Sequence, residues 1–195
     1  MRFLGFYDYT VILTYVSLLS AFAGMIAAHG GNFTAAVLCL MVCGICDAFD
    51  GTVARTKRNR TDDEKAFGIQ IDSLCDAVSF GVFPAFLSFC MGLDGLPGKG
   101  IAALYCLCAV IRLAFFNVQE AKRQQAETGC RKTYRGLPVT SISLLYPPVY
   151  ILHWFLEASA FRVLLHLVMA VTAFLFILDF SVPKPNFDKL LIKNK

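Results

Sequence analysis

Six long apolar runs, at residues 9–29, 33–55, 65–93, 100–117, 140–157 and 161–179, fill most of the 195-residue chain and leave only short polar or Gly/Pro-bearing links. Each approaches the roughly 20 residues that a helix needs to cross the hydrocarbon core of a bilayer. Within lipid every backbone N–H and C=O must be paired inside its own segment, so runs of this kind fold as helices. The sequence therefore predicts an all-α, polytopic membrane protein with six transmembrane helices, organised as one domain over residues 1–195. Only 16% of the residues are charged, where a soluble domain carries about a quarter, which excludes soluble, disordered and secreted disulfide-scaffold classes. The eight cysteines lie mostly inside the apolar runs, where a thiol behaves as a small hydrophobe, and reduced thiols are expected. Residues 1–9 hold one basic residue and no small-residue cleavage site, so the first run is expected to persist as a span.

The basic residues set an orientation, because Lys and Arg in short loops favour the cytoplasmic side. With the N-terminus inside, the inner segments hold Arg2, then Arg55, Lys57, Arg58, Arg60 and Lys65, then Lys122, Arg123, Arg131, Lys132 and Arg135, then four lysines from Lys184 onward. The outer loops hold only Lys99 and Arg162. This placement accounts for the net charge of +4, and no nucleic-acid partner is expected.

Four carboxylates fall inside the second and third runs: Asp47, Asp50, Asp72 and Asp76. A carboxylate at the centre of a span costs about 2.5–3.5 kcal/mol or more, so these four call for a functional reason. Asp47 and Asp50 are three apart and Asp72 and Asp76 four apart, so each pair shares a helix face. At about 1.5 Å per residue, Asp50 and Asp47 lie about 7 and 12 Å into their span, and Asp72 and Asp76 about 10 and 16 Å into theirs. The two helices are expected to be antiparallel neighbours with both pairs facing one cavity near the cytoplasmic surface. Four converging carboxylates repel one another, and two divalent cations would neutralise all four. An all-oxygen set favours Mg²⁺ or Mn²⁺ over Zn²⁺. Gly51, Ala54 and Gly68 flank the acids at helical spacing, allowing close approach of a backbone or a ligand, and Arg55 is placed to hold a phosphate bidentately.

The assembled string, Asp47-x2-Asp50-Gly51-x2-Ala54-Arg55-x12-Gly68-x3-Asp72-x3-Asp76, resembles the signature of the CDP-alcohol phosphotransferases. The resemblance implies a six-helix membrane enzyme, commonly a homodimer, that moves a phosphatidyl or related phosphoryl group from a CDP-linked lipid to an alcohol and releases CMP. It also implies that all four aspartates are metal ligands, with Asp76 in addition the general base. Gly51, Arg55 and Gly68 would contact the CDP moiety, and Thr61 a phosphate. The gap between Arg55 and Gly68 is longer than the family's usual one, the additional residues around 61–64 lengthening the inner link.

Arg112-Leu-Ala-Phe-Phe-Asn117 and Arg135-Gly-Leu-Pro-Val-Thr140 are similar to the fourth-helix end and Gly-Leu-Pro turn of the phosphatidylserine synthase branch. CDP-diacylglycerol and L-serine are thus the expected substrates, with another acceptor such as glycerol 3-phosphate, inositol phosphate or choline as the runner-up. Arg112 lies inside the fourth span and should face a partner charge or a water-filled cavity. Arg112 or Arg135 would hold the serine carboxylate; the alternative for Arg112 is a structural pairing with an inner acid. A divalent-cation transporter is the competing class, since intramembrane acids also mark ion pathways. Against it, all four acids sit in the inner half and no acidic ring continues outward. Cys43-x2-Cys46 lacks a second pair or a nearby His and reads as packing, and Pro147-Pro148 is expected to kink the fifth helix.

Overall fold

The structure is a computed structural model that describes residues 5–57, 59, 61–125 and 133–183. A 3₁₀ turn, Tyr9–Val11, leads into α1, Ile12–His29; Asp8 caps the turn by accepting from the Thr10 N–H at 2.8 Å. Gly30 and Gly31 turn the chain, Gly31 at φ +78°, and Asn32 caps α2, Phe33–Thr56, by accepting from the Ala35 N–H at 3.1 Å. The next span is one continuous column of three pieces: α3, Asp62–Asp76, a π-helical turn at Ala77–Val82, and α4, Phe83–Cys90. Then come α5, Gly95–Gln125, a short strand β1, Thr133–Arg135, a 3₁₀ turn at Val139–Ser141, α6, Ile142–Leu152, α7, Ala158–Ile177, and a strand β2, Ser181–Pro183.

The class is all-α as expected, and the six apolar runs give six helical columns, one of them short. Five helices among the described residues are long and apolar enough to cross a bilayer, whereas the fifth run forms only the shorter helix Val139–Leu152. The helical segment starts where the run does, directly after the extended Pro138, but the chain breaks into turns after Leu152, short of the run's end at residue 157. The helix runs through Pro147 and Pro148 without interruption. The helix of the fourth run also extends beyond residue 117: α5 continues through the polar stretch to Gln125 on residues that all favour helix. The stretch ends as β1, antiparallel to β2 with Tyr134 opposite Val182. The seven described cysteines are free thiols; Cys130 lies outside the described residues.

Small residues let the helices close on one another. A Cβ added to Gly24 would stand 2.9 Å from Cys39 Cβ and clash with the Phe83 ring, so α1 meets both α2 and α4 there. One added to Gly44 would lie 2.6 Å from Ser143 Cβ, which fixes α6 against α2. The outer ends of the same two helices are joined by Thr34 and Tyr150, whose hydroxyls are 2.7 Å apart. Large apolar side chains such as Leu19, Phe22, Ile26 and Leu144 point outward, the lipid-facing surface of a bundle. The expected direct packing of α2 on α3 is not what holds the pair: α1 packs along α2 and also touches α3 and α4, and α2 and α3 approach each other only locally.

The π turn widens one turn of the third span and leaves its carbonyls in need of donors. In a buried column without water such groups must be paired. Fully buried Tyr105 of α5 donates its hydroxyl to the Phe80 carbonyl at 2.8 Å, and the Cys106 thiol donates to the Gly81 carbonyl at 3.5 Å. Further along, the Ser73 hydroxyl meets Asn117 Oδ1 at 2.8 Å. These contacts set α5 antiparallel to the third span in a fixed register.

Candidate active site

The carboxylates gather where α2 and α3 meet. One oxygen from each of Asp47, Asp50 and Asp72 lies within 4.8 Å of the others. Oδ1 of Asp72 is buried and has no hydrogen-bond partner. Three anionic groups this close, one with an orphaned oxygen, repel one another unless a positive charge sits between them. The oxygen-only donor set and its spacing fit a bound cation. Asp76 stands one turn beyond Asp72, 8% exposed and outside the triple, though within electrostatic reach of Asp47, Asp72 and Asp50. The Thr140 hydroxyl, at the start of α6, lies within hydrogen-bonding reach of Asp47.

Asp50 and Asp72 open onto a cavity of about 160 Å³ that also takes in Gly51, Lys65 and Gly68. A Cβ added to Gly51 would meet nothing within 4 Å, so this glycine leaves room in the cavity and serves no helix contact. The opposite wall is Thr10, Val11 and Thr14, which the sequence reading passed over. Thr10 and Thr14 are polar residues four apart in an apolar run, and that shared face was the available signal. Their hydroxyl-bearing side chains are buried beside the acids because α1, and not α3, is the main neighbour of α2.

Thr61 does not reach this cavity. It is the N-cap of α3: its hydroxyl accepts from the Glu64 N–H at 3.2 Å while Glu64 Oε2 accepts from the Thr61 N–H at 2.8 Å. The pattern Thr61-x-x-Glu64 is a capping box, legible in the sequence and in competition with the expected phosphate contact. The link beside it is fastened to the N-terminal turn. Lys57 Nζ stands 2.8 Å from Asp8 Oδ2 and 2.9 Å from Glu64 Oε1. Hydrogen bonds from Lys57 and Thr10 hold the Asp8 carboxyl down at about 2, and the same Asp8 bond pushes the Lys57 ammonium up. The side chains of Arg55 and Arg135 lie outside the described residues.

Arg112 is 7% exposed, and its Nε donates to the Leu137 carbonyl at 3.2 Å, steadying the Gly-Leu-Pro turn. Gly136 is at φ +74°, and a Cβ there would lie 3.1 Å from the Leu178 carbonyl oxygen, so glycine is needed on both counts. Arg112 also lines a second cavity, of about 350 Å³, between α5 and the end of α7. This cavity shares no lining residue with the one on which Asp50 and Asp72 open.

A model of the family described as CDP-alcohol phosphatidyltransferase matches residues 9–178. The chain is 31% identical to an archaetidylserine synthase of Methanothermobacter thermautotrophicus over 150 residues, 76% of this chain and 60% of that protein. It is 40% identical to a CDP-diacylglycerol--serine O-phosphatidyltransferase of Saccharomyces cerevisiae over 110 residues, 55% of this chain and 38% of the yeast protein. A Bacillus subtilis protein of the same name is 34% identical over 131 residues, 65% of this chain and 71% of that one. The chain thus spans less than two thirds of the length of the first two.

Proposed function

The chain belongs to the CDP-alcohol phosphatidyltransferase family and is an integral membrane protein, and on that premise we propose that it transfers the phosphatidyl group of CDP-diacylglycerol to L-serine, yielding phosphatidylserine and CMP. The observation that carries the reading is the cluster of Asp47, Asp50 and Asp72, of which Asp50 and Asp72 line a cavity that Gly51 keeps open. The names of the relatives, most of them serine transferases, support the acceptor.

In this reading Asp47, Asp50, Asp72 and Asp76 hold two divalent cations, Mg²⁺ or Mn²⁺. Bound there, the cations supply charge neutralisation for the pyrophosphate and the departing CMP. Gly51 and Gly68 let the nucleotide lie against the helix backbones, and Lys65 and Arg55 offer positive charge to its phosphates. The Asp76 carboxylate takes the proton from the serine hydroxyl; the oxygen forms a bond to the lipid phosphorus as the bond to CMP breaks. Arg112 or Arg135 holds the serine carboxylate. We place the site on the cytoplasmic face, from the basic links, and the working unit is a homodimer; in a bacterium the membrane would be the inner one.

CMP release from CDP-diacylglycerol by the detergent-solubilised chain tests the proposal. Release with L-serine and formation of phosphatidylserine are the expected outcome. Release with glycerol 3-phosphate, inositol phosphate or choline, and none with serine, would move the chain to another branch of the family.

A further inference from the structure

The second cavity carries two charges of opposite sign in an apolar setting. Arg112 of α5 and Asp179, two residues past the end of α7, both line it. Phe115, Phe176 and Ile111 make the walls between them. The register of α5 fixes its depth: Tyr105 meets Phe80 and Asn117 meets Ser73, so Arg112, between them, stands at the level of Asp76. Arg112 is also seven residues from Tyr105, two helical turns, and shares its inward face.

A cavity lined by a cationic and an anionic side chain among apolar ones suits a small zwitterion, which can exchange into the existing contacts of both. An α-amino acid presents a carboxylate and an ammonium on one carbon, leaving its side-chain hydroxyl as the third substituent. We propose that Asp179 is a specificity-determining residue that takes the α-ammonium of the acceptor while Arg112 takes the carboxylate, so that the hydroxyl is turned toward Asp76. The assignment rests on the serine-transfer reading and adds to it the group that separates an amino acid from an uncharged or phosphorylated alcohol. A phosphorylated acceptor would be repelled by the Asp179 carboxylate.

The test is steady-state kinetics of CMP release on the full chain in detergent, with CDP-diacylglycerol and L-serine varied separately. Asp179→Asn keeps the size of the side chain and removes its charge; it should raise the KM for serine about tenfold or more and leave the KM for CDP-diacylglycerol unchanged, because only an ammonium contact is lost. Asp179→Glu should recover most of the serine KM. An unchanged serine KM in Asp179→Asn, or equal changes in both KM values without rescue by Glu, overturns the Asp179 assignment while serine transfer itself stands. A parent chain that releases CMP with glycerol 3-phosphate and not with serine overturns the serine reading, and Asp179's role with it.

Discussion

Gly44 and Gly51 lie two turns apart on one helix and do opposite things. At Gly44 the missing side chain is filled by Ser143 of α6, and the helices touch; at Gly51 the missing side chain is space. The difference runs through the whole bundle. Around Gly24 and Gly44 the interior is closed by Phe83, Leu40, Leu87 and Tyr146, each fully buried, and Ser88 and Tyr146 pair their hydroxyls at 3.0 Å. Around Gly51 the interior holds carboxylates, hydroxyls and cavity. One end of the molecule maximises contact and supplies stability; the other tolerates repulsion that the closed end must outweigh, which is the usual division in a protein whose site is locally unfavourable.

The largest effects should come from the open end. Asp76→Asn should lower CMP release by about 10²–10⁴-fold if its carboxylate is the base. Binding of the CDP-lipid should survive, as read by nucleotide retention; near-parental turnover would remove Asp76 from the chemistry. Chelation with EDTA, or Asp47→Ala, should abolish activity, with recovery on Mg²⁺ or Mn²⁺ for the chelated enzyme only. In cation-free buffer neither substitution should lower the thermal midpoint in detergent, since removing one of several like charges relieves repulsion.

The glycines sharpen the contrast. Gly44→Ala should destabilise by about 1–3 kcal/mol through overpacking against Ser143. Gly51→Ala should leave stability equal or raise it by about 0.5–1 kcal/mol, as alanine does in a helix interior, while raising the KM for CDP-diacylglycerol. If both variants lose stability alike, the division between the two ends is wrong.

Tyr105→Phe tests the boundary between them. It keeps the ring and deprives the Phe80 carbonyl of its donor, costing about 1–3 kcal/mol, visible as a lower midpoint in thermal unfolding. Asp8→Asn should have the smallest effect, a slight loosening of the N-terminal turn. The Asp8 carboxyl ionises near 2 in the folded chain against an ordinary 3.8, so its contribution is present above about 3.8 and fades as pH falls toward 2. The difference between parent and Asp8→Asn midpoints should therefore vanish at acid pH and be constant from pH 5 upward.

The bundle and the acids were legible because both rest on strong local signals. An apolar run of 20 residues has one stable fold in lipid, and a buried aspartate is costly enough to mean something. What was not legible depended on which helix lies beside which. Thr10 and Thr14 became part of the cavity only through the packing of α1, and periodicity says nothing about neighbours. Val139–Leu152 is shorter than its run because the chain turns at residues 153–156, where the residues are still largely apolar and composition gives no stop. Thr61 was assigned by resemblance although its own spacing to Glu64 already described a cap. The π turn has no signature in this sequence; it exists because Tyr105 and Cys106 happen to reach its carbonyls.

The shortness of α6 has a consequence for the bilayer itself. Its far end keeps pace with α2, where Thr34 meets Tyr150, so the deficit falls entirely on the side of the carboxylates, where α6 begins at the level of Asp47. Nine further residues of α2, about 14 Å of helix, rise past Asp47 with no α6 alongside. A helix wall that is shorter on one side favours a thinner leaflet beside it, which would bring the headgroups of a surrounding bilayer nearer to the carboxylates.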